Sequence, residues 1–278
     1  MNGLLVVNKE KFMTSRDVVN KLTSLFGIKK IGHTGTLDPL ASGVLVICIG
    51  KYTKLVDLIT SEYKEYIATI KLGIATDTLD ITGNVIETSN IKEFEEEEII
   101  KVLNKYLGKQ MQTVPKYSAI HVNGKRLYEY ARNNEDVILP KREVEIKEIE
   151  LLNYCNDEIK FRCVVSKGTY IRSLIKDICD NLEICGTMQD LIRTKQGTFS
   201  LNNAFTLDDI KNGNYNLLKL EDFLDIKIVI ISNELLKKVS NGNKINANYD
   251  GYVLYKNNEV DIALYSFENN VGHLVILF

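Results

Sequence analysis

The feature that most constrains the fold is a loop rich in glycine, threonine and serine, residues 32–43, which runs directly into six consecutive apolar residues, 44–49. An uninterrupted apolar run of this length predicts a buried strand. Such a strand would anchor the loop and give any reactive group in it a rigid support. Apolar residues make up 45% of the 278-residue chain, enough for a sizeable core, which excludes general disorder.

The sequence does not indicate a membrane protein, an exported protein or a metalloprotein. No apolar run approaches the ~20 residues of a membrane helix, and the first 15 residues do not resemble a secretion signal. The five cysteines are odd in number and lack a C-x-x-C pair, and the three histidines are far apart. We therefore expect a cytoplasmic protein with reduced thiols, no bound metal and no membrane contact.

Charge is distributed unevenly along the chain. The net charge of −2 does not by itself indicate a nucleic-acid-binding protein. However, residues 1–60 hold eight basic against four acidic side chains, and residues 160–196 hold seven against four. One basic surface is therefore compatible with the acidic total, although such asymmetry also occurs on ordinary solvated faces.

Hydrophobic periodicity predicts a chain of mixed α and β structure. Helices are predicted where apolar residues recur at helical spacing, at 15–26, 95–107 and 169–182. Strands are predicted at 4–7, 44–49, 66–72, 146–152 and 159–165. Residues 31–43 are expected to form a loop, and 117–140 show no clear period.

The character of the sequence changes near residue 224. Beyond it, short strand-like segments at 253–255, 261–265 and 272–278 alternate with turns rich in asparagine and glycine. We therefore place a domain boundary there, which divides the chain into a large domain of residues 1–223 and a small β-rich domain of residues 224–278.

The loop of residues 32–43 displays a single carboxylate, that of Asp38. Glycines at 32, 35 and 43 permit positive φ angles and close backbone approach, and Pro39 restrains Asp38 to an extended conformation. This arrangement would present one reactive carboxylate in a cleft. From these residues alone, a structural Asp-Pro turn is the more ordinary interpretation, because Asp is common in glycine-rich turns.

Residues 32–45, GHTGTLDPLASGVL, closely resemble the catalytic motif of the TruB family, the synthases that make pseudouridine in the T-arm loop of tRNA. Three further stretches resemble motifs of that family in the same order. They are KEY (64–66) with LG (72–73) and TDTLD (76–80), PKYSA (115–119) with RLYEYAR (126–132), and KGTYIRS (167–173). The resemblance covers about residues 3–210, and four ordered motifs of this length argue against a purely structural Asp38.

The resemblance implies a role for each matching residue. Asp38 is implied as the nucleophile, Arg172 as the arginine that pairs with it, and Tyr66 as the tyrosine that stacks on the uracil near the proton lost from carbon 5. A carboxylate suits the first role because it can attack and later leave. Without the resemblance, Arg172 would be interpreted as a surface arginine, and Tyr66 as a core residue. Positions that contact the nucleotide are matched by His33, Tyr170 and Leu191, of which the leucine is also an ordinary core residue.

The resemblance also implies how RNA is bound. The target base is stacked inside a folded loop, so it must be flipped into an aromatic and apolar pocket. Residues 117–142 resemble the family's inserted thumb loop, whose candidates for RNA contact are Lys125, Arg126 and Arg132. The basic and aromatic composition predicts a segment that orders on binding, with a merely solvated loop as the alternative. The tail, residues 224–278, resembles the small RNA-binding PUA domain only loosely.

The sequence departs from the family pattern at three places. Lys9-Glu10 stands where the family usually has Lys-Pro, His121 where it usually has lysine, and Thr187 where a histidine is common. None of these is the implied nucleophile, so the departures concern RNA affinity and not the expected chemistry.

Together these patterns predict an α/β (α+β) catalytic domain, the pseudouridine-synthase fold, with a largely antiparallel sheet, flanking helices and a small PUA-like C-terminal domain. The expected function is conversion of uridine 55 of tRNA to pseudouridine by a monomer that needs no cofactor, guide RNA or partner protein. The rival functions are a guide-dependent synthase, an RNA-folding chaperone without activity, and a glycosidase. The lack of long basic extensions argues against the first, the intact Asp38, Tyr66 and Arg172 against the second, and the lack of a second acid in comparable context against the third.

Overall fold

A computed structural model describes residues 1–60, 63–133 and 135–278. The strands are β1 (Gly3–Lys9), β2 (Ile31–His33), β3 (Ser42–Ile49), β4 (Lys64–Leu72), β5 (Ile74–Thr76), β6 (Val85–Thr88), β7 (Gly108–Thr113), β8 (His121–Val122), β9 (Lys125–Arg126), β10 (Lys141–Cys155), β11 (Glu158–Val165), β12 (Gly186–Gln196), β13 (Phe199–Ser200), β14 (Ile226–Ile230), β15 (Ile245–Asn246), β16 (Gly251–Asn257), β17 (Val260–Glu268) and β18 (Val271–Leu277). The α-helices are α1 (Ser15–Phe26), α2 (Val56–Thr60), α3 (Glu96–Asn104), α4 (Leu127–Arg132), α5 (Ile171–Asn181), α6 (Leu207–Lys211) and α7 (Asn233–Ser240). Within these described residues, no helix has the length and apolar character needed to cross a membrane.

The chain divides into two compact units. The first comprises residues 1–38, 44–60 and 202–278, and the second comprises residues 39–43 and 61–201. The loop that carries Asp38 therefore belongs partly to each unit, because the chain leaves the first unit directly after Asp38 and returns to it after Gly43.

In the first unit, β1 and β2 both pair with β3, the strand predicted from the apolar run. Helix α1 begins and ends where the sequence predicts. Thr14 and Asp17 form a reciprocal capping box at its start, and Gly27 ends it with a φ of 66°. Strand β2 lies inside the segment predicted to be a loop. Three residues are too few to show a period, and β2 forms because its backbone pairs with the buried Ile47–Ile49 backbone.

The tail of the first unit forms a second sheet with the strand order β14-β16-β17-β18-β15. It confirms the three strands predicted beyond residue 250. Buried aromatic side chains, Tyr255, Tyr265 and Phe267, form the centre of a core that belongs to this part of the chain. The division into units groups the tail with residues 1–38 and 44–60, so the independence of a domain at 224–278 stays a prediction.

The second unit is built on a sheet with the strand order β12-β4-β11-β10-β7, in which every neighbouring pair is antiparallel. The largely antiparallel sheet is therefore confirmed. Strand β12 carries Leu191 and pairs with the strand that carries Tyr66, yet its sequence shows no clear alternation. Irregularities in its register between Met188 and Asp190, and between Arg193 and Lys195, interrupt the two-residue period that would have predicted it.

The segment predicted to be a thumb contains regular structure. Strands β8 and β9 form a hairpin closed by Asn123 and Gly124, both with positive φ, and α4 follows directly. An Asn-Gly pair is a strong hairpin signal that is visible in the sequence itself. Asn134, which falls within this segment, lies outside the described residues.

Candidate active site

The backbone next to Asp38 is held by the start of α1. The Ser15 hydroxyl donates a hydrogen bond to the Leu37 carbonyl over 3.2 Å and accepts one from the Leu37 amide over 2.9 Å. Both residues are buried, whereas the Asp38 side chain is partly exposed. The Asp38 carboxylate is therefore accessible, and the residue before it is held through both its amide and its carbonyl.

His33 lies in the first unit at the end of β2, opposite Ile47 of β3. The next residue continues this attachment: the Thr34 amide donates to the Val46 carbonyl over 3.1 Å, and the Thr34 carbonyl accepts from the Thr60 hydroxyl over 2.7 Å. The structure thus places His33 and Asp38 on the same loop, five residues apart, with an anchored backbone at each.

The other end of the loop belongs to the second unit and packs against β12. Ser42 and Gly43 pair in parallel with Ile192 and Arg193. Gly43 has a φ of 103°, and a Cβ there would overlap the Arg193 carbonyl oxygen and lie 2.9 Å from the Arg193 amide nitrogen. Only glycine permits this approach without a shift of the backbone.

The structure brings Tyr66 and Leu191 together on adjacent strands of the second unit. In the pairing of β4 with β12, Tyr66 is opposite Arg193 and Ala68 is opposite Leu191, so Tyr66 and Leu191 are diagonal neighbours on one face. Both are buried, at 7% and 5% exposure. They therefore form an apolar and aromatic surface that can receive a planar ring.

Helix α5 packs on the same face of the sheet. A Cβ at Gly186 would overlap Cys179 Sγ of α5 and lie 3.3 Å from Ile70 Cγ2, and Ile70 is on the face of β4 that carries Tyr66. This close packing places the start of α5, with Tyr170 and Arg172, on the Tyr66 side of the sheet.

Arg172 is in the first turn of α5 and is only 5% exposed, which excludes a surface arginine. Its guanidinium donates to the Thr78 carbonyl over 3.0 Å and to the Tyr117 carbonyl over 3.1 Å. Two loops distant in the sequence thus orient this buried cation. A guanidinium with a set direction is suited to bind and orient a carboxylate.

The loop that carries Thr78 is itself held by Asp80. Asp80 accepts hydrogen bonds from the Thr78 hydroxyl over 3.1 Å, from the Thr82 amide over 3.0 Å and from the Thr82 hydroxyl. Leu79, between them, has a φ of 62°, a conformation that is costly for a leucine. The TDTLD motif is thus a tightly bonded turn that carries one of the two carbonyls facing Arg172.

Glu65 lies beside Tyr66 in a cluster of charged side chains on the opposite face of β4. Its carboxylate contacts Arg162 over 3.0 Å and Lys195 over 3.5 Å and accepts from the Thr194 hydroxyl over 2.7 Å. Burial raises the pKa of Glu65, but the Thr194 hydrogen bond and the two cations outweigh it, so the pKa lies below its usual value. The cluster holds β4, β11 and β12 together beneath Tyr66.

The predicted thumb cations are engaged with tyrosines of the same segment. Lys125 binds both carboxylate oxygens of Glu135, over 2.7 and 2.8 Å, and lies over the Tyr130 ring. Arg126 and Arg132 both lie over the ring of Tyr128, 5.8 and 5.4 Å from its centroid. The two arginines therefore form one basic and aromatic surface, whereas the charge of Lys125 is already compensated.

Other potential reactive groups are poor alternatives. Burial raises the pKa of the thiols of Cys48, Cys163 and Cys179 to about 12, which keeps them protonated at neutral pH. Among residues 1–60, 63–133 and 135–278, no group of three or more His, Cys, Asp or Glu is arranged to hold a metal ion.

Some residues that support the site were not singled out by the sequence, and each of them does so through hydrogen bonds that involve backbone groups. Ser15 holds the residue before Asp38 through its side-chain hydroxyl, whereas Thr78 and Tyr117 hold Arg172 through their backbone carbonyls. Thr78 and Tyr117 lie in motifs that resemble those of the family, so the motifs were the available signal. Ser15 stands out in the sequence only as the first residue of the helix predicted at 15–26.

Comparison with known proteins identifies the class. Residues 23–171 match the family model described as the N-terminal domain of the TruB family of pseudouridylate synthases. The chain thus belongs to the class of pseudouridylate synthases. Among solved structures, a chain of a Cbf5–Nop10–Gar1 complex is 23% identical, with a TM-score of 0.71 over 99% of this chain and 83% of that chain. A chain of an H/ACA RNP bound to a substrate RNA is 22% identical, with a TM-score of 0.69, over 99% of this chain and 83% of that chain. At these identities the similarity establishes a shared fold.

Similar sequences define the family. A protein of Staphylococcus saprophyticus named tRNA pseudouridine synthase B is 41% identical over 96% of this chain and 94% of its own length. Proteins of the same name from Caldanaerobacter subterraneus and Bacillus subtilis are 40% and 43% identical, over 90% and 87% of this chain and 88% and 82% of their own lengths. The chain belongs to the TruB family of pseudouridylate synthases.

Proposed function

We propose that this chain isomerises uridine to pseudouridine at position 55, in the T-arm loop of tRNA, without a cofactor, guide RNA or partner protein. The observation that carries the proposal is the loop of residues 32–43. It closely matches the family's catalytic motif, its backbone before Asp38 is held by Ser15, and its end packs on β12 through Gly43. The relatives named tRNA pseudouridine synthase B support tRNA as the substrate.

The proposed chemistry balances within the nucleotide. The bond between uracil N1 and ribose C1′ breaks, the uracil turns, and a bond forms between C5 and C1′, while C5 loses a proton and N1 gains one. Asp38 forms and then breaks a transient covalent bond, with either the ribose or the uracil ring, which divides one difficult step into two. Arg172 is proposed to pair with the Asp38 carboxylate and orient it, the role that the resemblance assigns to this arginine.

Tyr66 and Leu191 are proposed to receive the flipped uracil. Their shared face on β4 and β12 supports this role, because an aromatic ring beside a branched apolar side chain provides a stacking surface. The Tyr66 hydroxyl is proposed to assist removal of the C5 proton. His33 and Tyr170 are proposed to contact the nucleotide from the two loops that carry them.

Two further regions are proposed to bind the RNA outside the reacting base. Arg126 and Arg132, stacked on Tyr128, provide cations and an aromatic face in the thumb, residues 117–142. The five-stranded tail, residues 224–278, is proposed as the PUA-like domain that contacts the remainder of the tRNA. We propose that the enzyme acts as a monomer in the cytoplasm.

The test is incubation of the purified protein with an unmodified tRNA transcript, followed by mapping of pseudouridine at single-nucleotide resolution. We expect one modified position, 55, and no product from a transcript with cytidine at that position. Product that forms only after a guide RNA or a partner protein is added would instead assign the chain to the guide-dependent class. Modification at a different tRNA position would contradict the site specificity and leave the reaction class intact.

A further inference from the structure

The start of α5 is held by the end of β7 on both sides of Arg172. The Gln112 side chain donates to the Tyr170 carbonyl over 3.0 Å and accepts from the Tyr170 amide over 2.8 Å. One residue along β7, the Thr113 carbonyl accepts from the Ser173 hydroxyl over 2.8 Å. The backbone of Tyr170 and the side chain of Ser173 are therefore tied to one strand, with Arg172 between them.

Gln112 is 3% exposed, so these hydrogen bonds are made away from water. A buried amide side chain is costly unless both its donor and its acceptor are used. Gln112 uses both on the same residue, which fixes the position and the rotation of the Tyr170 peptide groups. A hydrophobic residue of similar size would fill the same space, but it would not form the hydrogen bonds that orient the Tyr170 backbone.

The strand neighbour of Gln112 holds the Tyr170 side chain. Arg142 of β10 is directly opposite Gln112 of β7. Its guanidinium lies over the Tyr170 ring, 5.4 Å from the centroid, and approaches the Gly168 carbonyl over 3.4 Å. A cation over an aromatic face at this distance is attractive.

Gly168 gives Arg142 the room for this position. Gly168 has a φ of 86°, and a Cβ there would lie 2.8 Å from Arg142 Nη1. The loop before α5 is thus shaped around the guanidinium. Two side chains that face each other across one strand pair therefore hold Tyr170 by its backbone and by its ring.

We propose that Gln112 and Arg142 are positioning residues that hold Tyr170 and the start of α5 in the conformation required for pseudouridine formation. The proposal rests on the proposed function, because it concerns the rate of that reaction. Gln112 acts through the backbone of Tyr170, and Arg142 acts through its ring. Neither is assigned a contact with the reacting atoms.

The first arm of the test replaces Gln112 by an apolar side chain of similar length. Gln112→Met should slow single-turnover product formation by ten- to hundredfold, the effect of a small misplacement of reacting groups, with the Kd for tRNA within threefold of wild type. Gln110→Met is the matched control, since Gln110 is on the same strand and also bonds a backbone carbonyl, that of Tyr106. The control should retain the wild-type rate.

The second arm is a double-mutant cycle with Arg142→Met and Tyr170→Ala. Lys147→Met is the control, since Lys147 is a cation on the same strand that lies over a different ring, that of Tyr63. Arg142→Met should slow the single-turnover rate on the order of tenfold in the wild-type background and less than twofold in the Tyr170→Ala background. Such coupling is expected only if Arg142 acts through Tyr170. Melting curves of all variants accompany the kinetics, and if Gln112→Met does not fold, the cycle alone decides.

Several outcomes would overturn the proposal. The first is a wild-type rate in both Gln112→Met and Arg142→Met. The second is that Arg142→Met and Tyr170→Ala affect the rate independently. The third is a higher Kd for tRNA in Arg142→Met with an unchanged rate at saturation, which would make Arg142 an RNA contact. Failure of the proposed function is distinguishable, because then the wild-type protein itself would form no pseudouridine in tRNA.

Discussion

Ser15 and Leu37 are joined by two hydrogen bonds that use a single hydroxyl as donor and as acceptor, over 3.2 and 2.9 Å. Ser15 begins α1, and Leu37 precedes Asp38. Both are buried, so the pair fixes the backbone before the proposed nucleophile in a place that water does not reach. The rigidity of the catalytic loop therefore depends on a helix that carries no proposed catalytic group.

Replacement of Ser15 tests this dependence. Ser15→Ala leaves the Leu37 amide and carbonyl without their side-chain partner, which should lower the free energy of unfolding by about 1–3 kcal/mol. We expect the single-turnover rate to fall more than the affinity for tRNA. Ser24→Ala, at an exposed position of the same helix, is the control. Thermal melts and rates equal to those of wild type would show that the hydroxyl does not support Asp38.

Asp38→Asn should abolish turnover while the Kd for tRNA stays within about tenfold, because phosphate and stacking contacts dominate RNA affinity. The substitution keeps the size of the side chain and removes its nucleophilicity. The measurement is product formation under single-turnover conditions, with binding measured in parallel. Residual turnover above about one per cent of wild type, in protein free of other synthases, would refute the assignment of Asp38 as the nucleophile.

Tyr66 can be tested for stacking and for proton transfer separately. Tyr66→Phe keeps the ring and removes the hydroxyl, and we expect a loss of about 10²–10⁴ in the single-turnover rate, the usual contribution of a positioned acid–base group. Tyr66→Leu should be inactive. If the Phe variant were within threefold of wild type and the Leu variant inactive, Tyr66 would be a stacking platform only.

An alanine at Gly43 should destabilise the protein because of the close contact between Gly43 and β12. Gly43→Ala faces the cost of a positive φ and a collision with the Arg193 backbone. Gly27→Ala is the matched control, since its φ of 66° is also positive but, beyond its two chain neighbours, no described residue has an atom within 4 Å of the added Cβ. We expect the control to lose about 1–2 kcal/mol of unfolding free energy and Gly43→Ala to lose about 1–3 kcal/mol more. Equal melting temperatures for the two variants would contradict the close approach.

The Glu65 cluster predicts a dependence of stability on pH. The pKa of Glu65 in the folded protein is below the ordinary value of 4.5. The contribution of the Glu65 carboxylate to stability is therefore present above about pH 4.5 and is lost as the pH falls below that value. Glu65→Gln should therefore flatten the fall in melting temperature between about pH 5 and about pH 3. Glu150→Gln, at a more exposed carboxylate that contacts the same Arg162, is the matched control, and Glu65→Gln should flatten the curve more than it does. Parallel curves for wild type and Glu65→Gln would contradict the prediction.

The sequence alone determined the features that are local or that belong to a recognised motif. The ends of α1 follow from Thr14, Asp17 and Gly27, because a capping box and a left-handed glycine act within a few residues. The alternation of β4 follows from a period of two, which is visible in any single strand. The resemblance to the TruB family indicates Asp38, Tyr66 and Arg172 through residue identity within the motifs, and their roles stay predictions.

Only the tertiary structure decided which groups support them. Gln112 reaches Tyr170 across 58 residues, and Arg172 donates to carbonyls 94 and 55 residues away. Every residue has a backbone carbonyl, so a hydrogen bond to a carbonyl does not require a particular residue type at the acceptor position. Such a bond therefore cannot be recognised from the sequence. Likewise, β12 could not be predicted from the sequence, because its irregular register interrupts the alternation of a strand. This strand pairs with both Tyr66 and Gly43. The reacting groups can be recognised from residue identity, whereas their supports depend on which distant backbones the fold brings together.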